Sequence, residues 1–146
     1  SEEIAAEGRR WGAEVPFLRP AELARDETPT LASVLHAVDR LAERGTPVDA
    51  VLLLQPTSPL RTADDVAAVW RAFDPATAPS VISVVAAEHA PEIALRGEGE
   101  GALAWAFPAA HAPGADVRRQ AFGAAVFPSG AAYLSTLPLL RERRAF

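Results

Sequence analysis

The chain of 146 residues contains no cysteine, no methionine, no asparagine and no lysine, and all 14 of its basic residues are arginine. The absence of cysteine excludes disulfide bonds, a thiolate nucleophile and a cysteine-based metal cluster. The absence of lysine excludes Schiff-base chemistry and a Walker A phosphate loop. Hydroxyl, amide, carboxylate, imidazole and guanidinium groups are therefore the candidates for any site.

Charge and spacing disfavour further classes of function. A net charge of −5 argues against affinity for nucleic acid or for anionic membranes, so we expect neither as a partner. The three histidines, His36, His89 and His111, lack the i, i+4 spacing of a helical zinc site. No stretch reaches the roughly 20 apolar residues that span a bilayer, and the acidic start is unlike a signal peptide. We therefore expect a cytoplasmic protein.

The composition, 49% hydrophobic and 23% charged, is typical of one compact domain, which we expect to include residues 1–146. An uninterrupted apolar run within Asp49–Gln55 suits a strand that is buried on both faces of a parallel sheet. A helix capped by Thr62 and a β-branched strand, Ser80–Ala86, follow it. This order predicts a right-handed βαβ unit and an α/β fold.

The remaining elements are predicted from apolar periodicity and from glycine and proline positions. An N-terminal helix is expected to end at Gly12, and a second helix to begin with Thr28 as its N-cap and to end at Gly45. The other predicted elements are a strand at Glu14–Leu18, hairpin strands at Ile93–Arg96 and Ala102–Phe107, a strand at Ala131–Leu134 and a helix at Leu137–Arg144.

The segment QPTSPLR, Gln55–Arg61, is the first candidate site because it follows the predicted buried strand, where α/β sheets place ligands. It combines an amide, two hydroxyls and an arginine on backbone stiffened by two prolines. An ordinary strand-to-helix turn would have the same composition, with Pro56 and Pro59 for stiffness and Thr62 as the cap. The residues alone leave both interpretations open.

Two ordered segments, RPAELARDETPT and LLLQPTSPLR, closely resemble the acylneuraminate cytidylyltransferase family, the CMP-sialic acid synthetases. The resemblance continues through SEEIAAEGRRWGAEVPFLRPAELA at the start and RQAFGAAVFPSGAAYL near the end. It implies a doubly wound, mostly parallel sheet of the nucleotide-diphospho-sugar transferase type, with a β-hairpin inserted around residues 92–118. It also implies a homodimer that transfers CMP from CTP to a sialic-acid-like keto-sugar acid, with Mg²⁺ and with release of pyrophosphate.

The resemblance also implies roles for individual residues. Arg19 would reach the cytosine, since a planar donor fork suits a carbonyl oxygen and a ring nitrogen, and Thr28 and Thr30 would contact base and ribose. From the residues alone, Arg19 is also consistent with a surface arginine before a proline, and the two threonines are also consistent with ordinary helix-start residues.

On the sugar side, the resemblance implies that Gln55 contacts the sugar acid, that Arg119 belongs to the rim of the active site, and that Tyr133 lines the sugar pocket. Ser58 and Arg61 would support the loop that carries Gln55. From the residues alone, Tyr133 is also consistent with a packed sheet tyrosine whose hydroxyl is satisfied.

Three departures from the family's pattern qualify these implications. Ser129–Gly130 stands where the family often has Asn-Gly, and Ile93 stands where it commonly has lysine. The family's glycine-rich phosphate loop and its acidic metal-binding segment have no counterpart in the chain, while Asp64 and Asp65 fit a helix cap better than a metal site. We therefore expect a partial domain with no metal ligands and no identified catalytic residue. The alternative is a truncated, non-catalytic module that binds a nucleotide or sugar or serves in assembly.

Overall fold

The computed structural model describes residues 1–115, 118 and 121–146 of the chain. Helices and strands are mixed along it, so the protein has a mixed α/β fold. The helices are α1 (Glu2–Arg10), α2 (Thr30–Glu43), α3 (Ala63–Ala72) and α4 (Leu137–Arg143). The strands are β1 (Ala50–Leu53), β2 (Ser80–Ala86), β3 (Leu95–Gly97), β4 (Leu103–Trp105) and β5 (Val126–Thr136). Short 3₁₀ turns lie at Ala21–Leu23, Pro91–Ile93 and Pro108–His111.

The chain divides into two compact units, each built from separate stretches of sequence. The first unit contains Ser1–Val51, Asp74–Ser80 and Ser135–Phe146. The second unit contains Leu52–Phe73 and Val81–Leu134. Most of the main sheet and the whole β3–β4 hairpin belong to the second unit.

The main sheet has the strand order β1-β5-β2. Ala87 donates to the carbonyl of Ala125 and Thr136 donates to that of Pro79, both at 2.9 Å, so β2 and β5 are antiparallel. The doubly wound, mostly parallel sheet is therefore not confirmed, because β1 and β2 are not neighbours and β5 lies between them. Apolar and β-branched runs specify strands but do not specify which strands pair, which is why the sequence could not show this.

Burial in the sheet is concentrated on β5. Ala132 and Leu134 are 1% exposed, whereas every residue of β1 is only half-buried and Leu54, which follows β1, is 39% exposed. The prediction of a first strand buried on both faces is thus wrong for the described residues. β5 is also longer than the predicted Ala131–Leu134, as suits a central strand with a neighbour on each side.

The glycine-rich segment forms the hairpin that the sequence predicts. β3 and β4 pair antiparallel, with Leu95 opposite Trp105 and Gly97 opposite Leu103. At the tip, Gly99 and Gly101 have φ values of +89° and +82°, which glycine adopts without the steric cost that a Cβ brings. The predicted strands were longer because the apolar pattern continues beyond the paired residues.

The predicted ends of the first two helices are confirmed. Trp11 is the C-cap of α1, and Gly12 follows it with φ +84°. After α2, Gly45 donates to the carbonyl of Ala42 and Thr46 donates to that of Leu41, which together form a Schellman motif. Residues close together in the chain specify such helix ends, so the sequence was sufficient to predict them.

Two local predictions are wrong. Residues 14–18 form no strand in the structure, since their short apolar pattern finds no partner strand among the described residues. Thr28 does not cap α2, because the helix begins at Thr30 and Pro29 before it has φ −59° and ψ 136°. The Thr28 hydroxyl donates instead to the carbonyl of Glu22 at 3.5 Å. No described helix is both long enough and apolar enough to cross a membrane.

Candidate functional site

Arg61 fixes the loop Gln55–Arg61, hereafter the 55–61 loop, against β5. Its Nη1 donates to the carbonyl of Gln55 at 3.1 Å and to that of Ala131 at 2.7 Å. Ala131 lies on β5, 70 residues further along the chain. A charged donor makes stronger hydrogen bonds than a neutral one, so this guanidinium is a positioning group that holds the loop to the sheet.

The two prolines give the 55–61 loop its shape. The amide of Ser58 donates to the carbonyl of Gln55, and the amide of Arg61 donates to that of Ser58, both at 3.3 Å. Pro56 and Pro59 occupy the second position of these two successive turns, where the fixed φ of proline is favourable. The prolines therefore stiffen the loop as predicted, by forming two successive turns that bring Ser58 and Arg61 back towards the end of β1.

Gly130 lets the loop approach β5 closely. Its φ is +79°, and a Cβ placed there would lie 3.2 Å from Oε1 of Gln55 and 3.7 Å from Oγ of Ser58. The structure thus brings Gln55 and Ser58, two predicted site residues, together over the backbone of Gly130. Within residues 1–115, 118 and 121–146, the Gln55 side-chain amide makes no hydrogen bond.

A cleft of about 460 Å³ lies beside this loop and is called the loop cleft below. Residues 57–61 line one side, and Asp65, Ser83, Ser129 and Ala131 are among the other lining residues. Sequence reasoning missed Ser83, and it noted Ser129 only as a departure from the family's Asn-Gly. Serine is ordinary in a strand, and these two are 46 residues apart, so no local pattern could have indicated that they pair.

Ser83 and Ser129 form a hydroxyl pair in the loop cleft, with their Oγ atoms 2.7 Å apart. The Ser83 Oγ accepts from the amide of Ala132 at 2.9 Å and lies 3.2 Å from the Ala132 carbonyl. The Ser129 Oγ accepts from the amide of Ala131 at 3.3 Å. Backbone donors from β5 therefore fix both oxygen atoms.

Asp65 serves as the helix cap that the sequence predicts. Its Oδ2 accepts from the amide and the hydroxyl of Thr62, both at 2.8 Å, and its own amide donates to the Thr62 Oγ1. The backbone hydrogen bond from Thr62, and then the one from its hydroxyl, hold the pKa of Asp65 below its usual 3.8, and Arg61 adds to this effect. This capping box fixes the start of α3 beside the loop cleft.

The capping box gives a pH-dependent prediction for Asp65→Asn. Because the folded-state pKa is lowered, the carboxylate contributes stability above pH 4 or so, and this contribution is lost as the pH falls through the folded-state value. We expect Asp65→Asn to be less stable than the parent at pH 7. The difference between the two in the free energy of unfolding, measured with urea, should become smaller from pH 5 to pH 3. The adjacent Asp64→Asn is the control, and equal narrowing for both variants would contradict the prediction.

The described residues do not fit a magnesium site. No group of three or more histidine, aspartate or glutamate side chains among them could hold a metal ion. The Oδ2 atom of Asp65 already accepts two hydrogen bonds from Thr62. The expected Mg²⁺ therefore remains a prediction.

The predicted nucleotide-contacting residues lie in the first unit, near the start of α2. Nη1 of the exposed Arg19 donates to Oγ of Ser33 at 3.3 Å, and Ser33 donates to the carbonyl of Leu23 at 3.4 Å. Thr30 is the first residue of α2 and is exposed, while Thr28 is half-buried. Arg19 has no ion-pair partner in the described part of the chain.

The other two predicted sugar-contacting residues are Tyr133 and Arg119. Tyr133 is half-buried on β5 between the buried Ala132 and Leu134, so its side chain points to the face of the strand opposite to theirs. Arg119 lies outside the described residues.

Comparison with known proteins adds a partial similarity. No family model matches the chain. Over 66 residues the chain is 36% identical to CMP-N,N'-diacetyllegionaminic acid synthase of Legionella pneumophila subsp. pneumophila strain Philadelphia 1, an alignment that covers 45% of this chain. The same alignment covers 28% of that relative. The chain is therefore similar, over part of its length, to a CMP-sugar acid synthase.

Proposed function

We propose that the chain is part of a nucleotidyltransferase that transfers CMP from CTP to a sialic-acid-like keto-sugar acid and releases pyrophosphate. The observation that carries the proposal is the 55–61 loop. Two proline turns and Arg61 hold the Gln55 amide beside Gly130, at the end of a strand and next to the loop cleft. The partial similarity to a CMP-sugar acid synthase supports this assignment.

In this proposal the 55–61 loop binds the acceptor sugar. The Gln55 amide has both a donor and an acceptor to offer, which suits hydroxyl, carboxylate and amide groups. Ser58 and Arg61 hold the loop in place, and Tyr133 and Arg119 are the other residues proposed to contact the sugar. Preorganising these groups lowers the entropic cost of fixing the sugar for reaction.

The residues near the start of α2 are proposed to bind the nucleotide. Arg19 would donate to the cytosine carbonyl oxygen or ring nitrogen, and its bond to Ser33 would aim the guanidinium. Thr28 and Thr30 are proposed to contact base and ribose. In the reaction, the anomeric hydroxyl of the sugar acid gives up its proton to solvent and its oxygen attacks the α-phosphorus of CTP. The bond from that phosphorus to the bridging oxygen breaks, and pyrophosphate leaves with the electron pair.

Assembly and location are further parts of the proposal. β1 has one neighbour, β5, among the described strands, so its other edge is where a parallel strand of a doubly wound sheet would pair. Trp105 and Phe107, 41% and 48% exposed, are proposed to lie at a homodimer contact made by the hairpin. A cytoplasmic location remains a prediction from the sequence.

Arg19→Ala is expected to weaken CTP binding about threefold to tenfold, since one hydrogen bond to the base is lost. Calorimetric titration with CTP measures this change. Arg25→Ala, another exposed arginine of the first unit, is the matched control and should bind CTP like the parent. Equal weakening by both variants would indicate a general charge effect and not a contact of Arg19 with the base.

Pyrophosphate release from CTP tests the proposed function as a whole. The protein is incubated with CTP, Mg²⁺ and a panel of keto-sugar acids, and pyrophosphate and the CMP-sugar are both measured. Pyrophosphate formation that depends on the sugar acid is the expected result. Binding of CTP or of a sugar without any transfer would favour the non-catalytic module.

A further inference from the structure

A second cavity, of about 720 Å³, is lined by residues that lead into β1, precede β2 or begin α4, and it is called the α4 cavity. Its lining residues all belong to the first unit, and none of them lines the loop cleft. Small-molecule sites in proteins have volumes of about 300–1,000 Å³. The α4 cavity is therefore large enough for a ligand of its own.

The wall of the α4 cavity is largely apolar. Val48 and Leu137 are half-buried, and Pro75 and Pro138 are exposed. Covering such a wall is favourable in proportion to the apolar area that is removed from water. The wall therefore suits an aliphatic group of a ligand.

Asp49 and Arg141 contribute opposite charges to the α4 cavity. The amide of Leu137 donates to the carbonyl of Asp49 at 2.8 Å, and Arg141 follows Leu137 by one turn on the same face of α4. Nη2 of Arg141 donates to Oδ1 of Asp39, which leaves Nε and Nη1 without a partner in the described part of the chain. The exposed Asp49 carboxylate likewise has no ion-pair or hydrogen-bond partner among the described residues. The cavity thus presents a carboxylate and a guanidinium that do not pair with each other.

The two charges and the apolar wall together match one class of ligand. An amine would bind Asp49 but offer nothing to the free donors of Arg141, and a carboxylic acid would do the reverse. An α-amino acid carries an ammonium and a carboxylate group on the same carbon, so it can use both residues at once. An aliphatic side chain on that carbon would cover the apolar wall.

We propose that the α4 cavity binds a free α-amino acid with an aliphatic side chain. The carboxylate of the ligand accepts from Arg141, its ammonium group donates to Asp49, and its side chain packs against Val48 and Leu137. Asp39 is the positioning residue that holds the guanidinium of Arg141. The inference does not rest on the proposed function, because the α4 cavity shares no residue with the loop cleft.

Leucine and three analogues test the proposal by amide NMR titration of the whole chain. Isopentylamine is leucine without its carboxylate, 4-methylpentanoate is leucine without its ammonium group, and glycine lacks the aliphatic side chain. We expect leucine to shift the amide resonances of Asp49 and Leu137. Leucine should also bind about threefold to fivefold more tightly than each analogue, since each analogue loses one exposed contact.

Two variants test the charges one at a time. Asp49→Asn should weaken binding of leucine and isopentylamine about threefold to fivefold and leave that of 4-methylpentanoate unchanged. Arg141→Gln should weaken binding of leucine and 4-methylpentanoate to the same extent and leave that of isopentylamine unchanged. The matched controls are Asp26→Asn and Arg143→Gln, which remove exposed charges from the first unit but not from the α4 cavity. Both controls should bind leucine like the parent.

The outcomes that overturn the proposal do not depend on one variant. Asp49→Asn should fold normally, because the exposed carboxylate has no partner in the described part of the chain. Arg141→Lys keeps a cation for Asp39 and for the ligand, and it should still bind leucine more tightly than isopentylamine. A parent that binds isopentylamine or 4-methylpentanoate as tightly as leucine, or that does not bind leucine, overturns the proposal. Equal weakening of leucine binding by Asp49→Asn and Asp26→Asn overturns it as well.

Discussion

Arg61→Ala is expected to raise the KM for the sugar acid about tenfold to hundredfold, because the loop that carries Gln55 is released from β5. The free energy of unfolding should also fall by about 2–3 kcal/mol, since a charged donor is lost from two backbone carbonyls. The kinetics of pyrophosphate release measure the change in KM, and urea unfolding measures the change in the free energy of unfolding. The kcat should change less than the KM if Arg61 acts through the position of Gln55.

Two variants control for the loss of charge at Arg61. Arg71→Ala removes an exposed arginine from the last turn of α3, so it should change neither the KM nor the stability by more than the error of measurement. Arg61→Lys keeps the charge but replaces the guanidinium, whose Nη1 donates to both the Gln55 and the Ala131 carbonyls, with an ammonium group of different geometry, and it should give an intermediate KM. A KM for Arg61→Ala equal to that of Arg71→Ala would show that the hydrogen bonds from Arg61 to the Gln55 and Ala131 carbonyls do not position the sugar site.

Gly130→Ala is expected to have the second large effect, on both binding and stability. A non-glycine residue at φ +79° costs about 1–2 kcal/mol. The new Cβ would also lie 3.2 Å from Oε1 of Gln55, so the amide must move. We expect the KM for the sugar acid to rise about tenfold, measured with the same pyrophosphate assay.

Gly45 provides a matched control for the backbone strain. It has the same φ, +79°, but a Cβ there meets nothing within 4 Å. Gly45→Ala should therefore lose a similar amount of stability with an unchanged KM. If both glycine variants raise the KM equally, the effect comes from general destabilisation, and the close approach of Gln55 to Gly130 has no part in binding.

The features that the sequence predicted correctly depend on residues close together in the chain. Thr62 and Asp65 form the expected cap because their three-residue spacing defines it. Gly45 ends α2 for the same kind of reason. Thr28 was mistaken for a cap because a threonine before a proline fits the local pattern, while the backbone at Pro29 moves the start of the helix to Thr30.

The features that the sequence could not show depend on distant pairs. Nothing in β1 or β2 indicates that β5 would come between them. The bond from Arg61 to Ala131 joins residues 70 apart, and the Ser83–Ser129 pair joins residues 46 apart. Gln55 and Ser58 were indicated by their position after the predicted first strand and by a resemblance of motifs, whereas their approach to Gly130 needed coordinates. Partners at such separations are fixed by tertiary packing, which propensity does not encode.

The central position of β5 also sets an order of events during synthesis. β1 and β2 leave the ribosome first, yet the strand that pairs with both of them, Val126–Thr136, is made 40 residues after β2 ends at Ala86. Until then, two largely apolar segments have no described partner strand, and exposed segments of this kind are prone to aggregation. Pairings so distant in sequence form slowly. Chaperone binding to the nascent chain should therefore decline only once Thr136 has emerged.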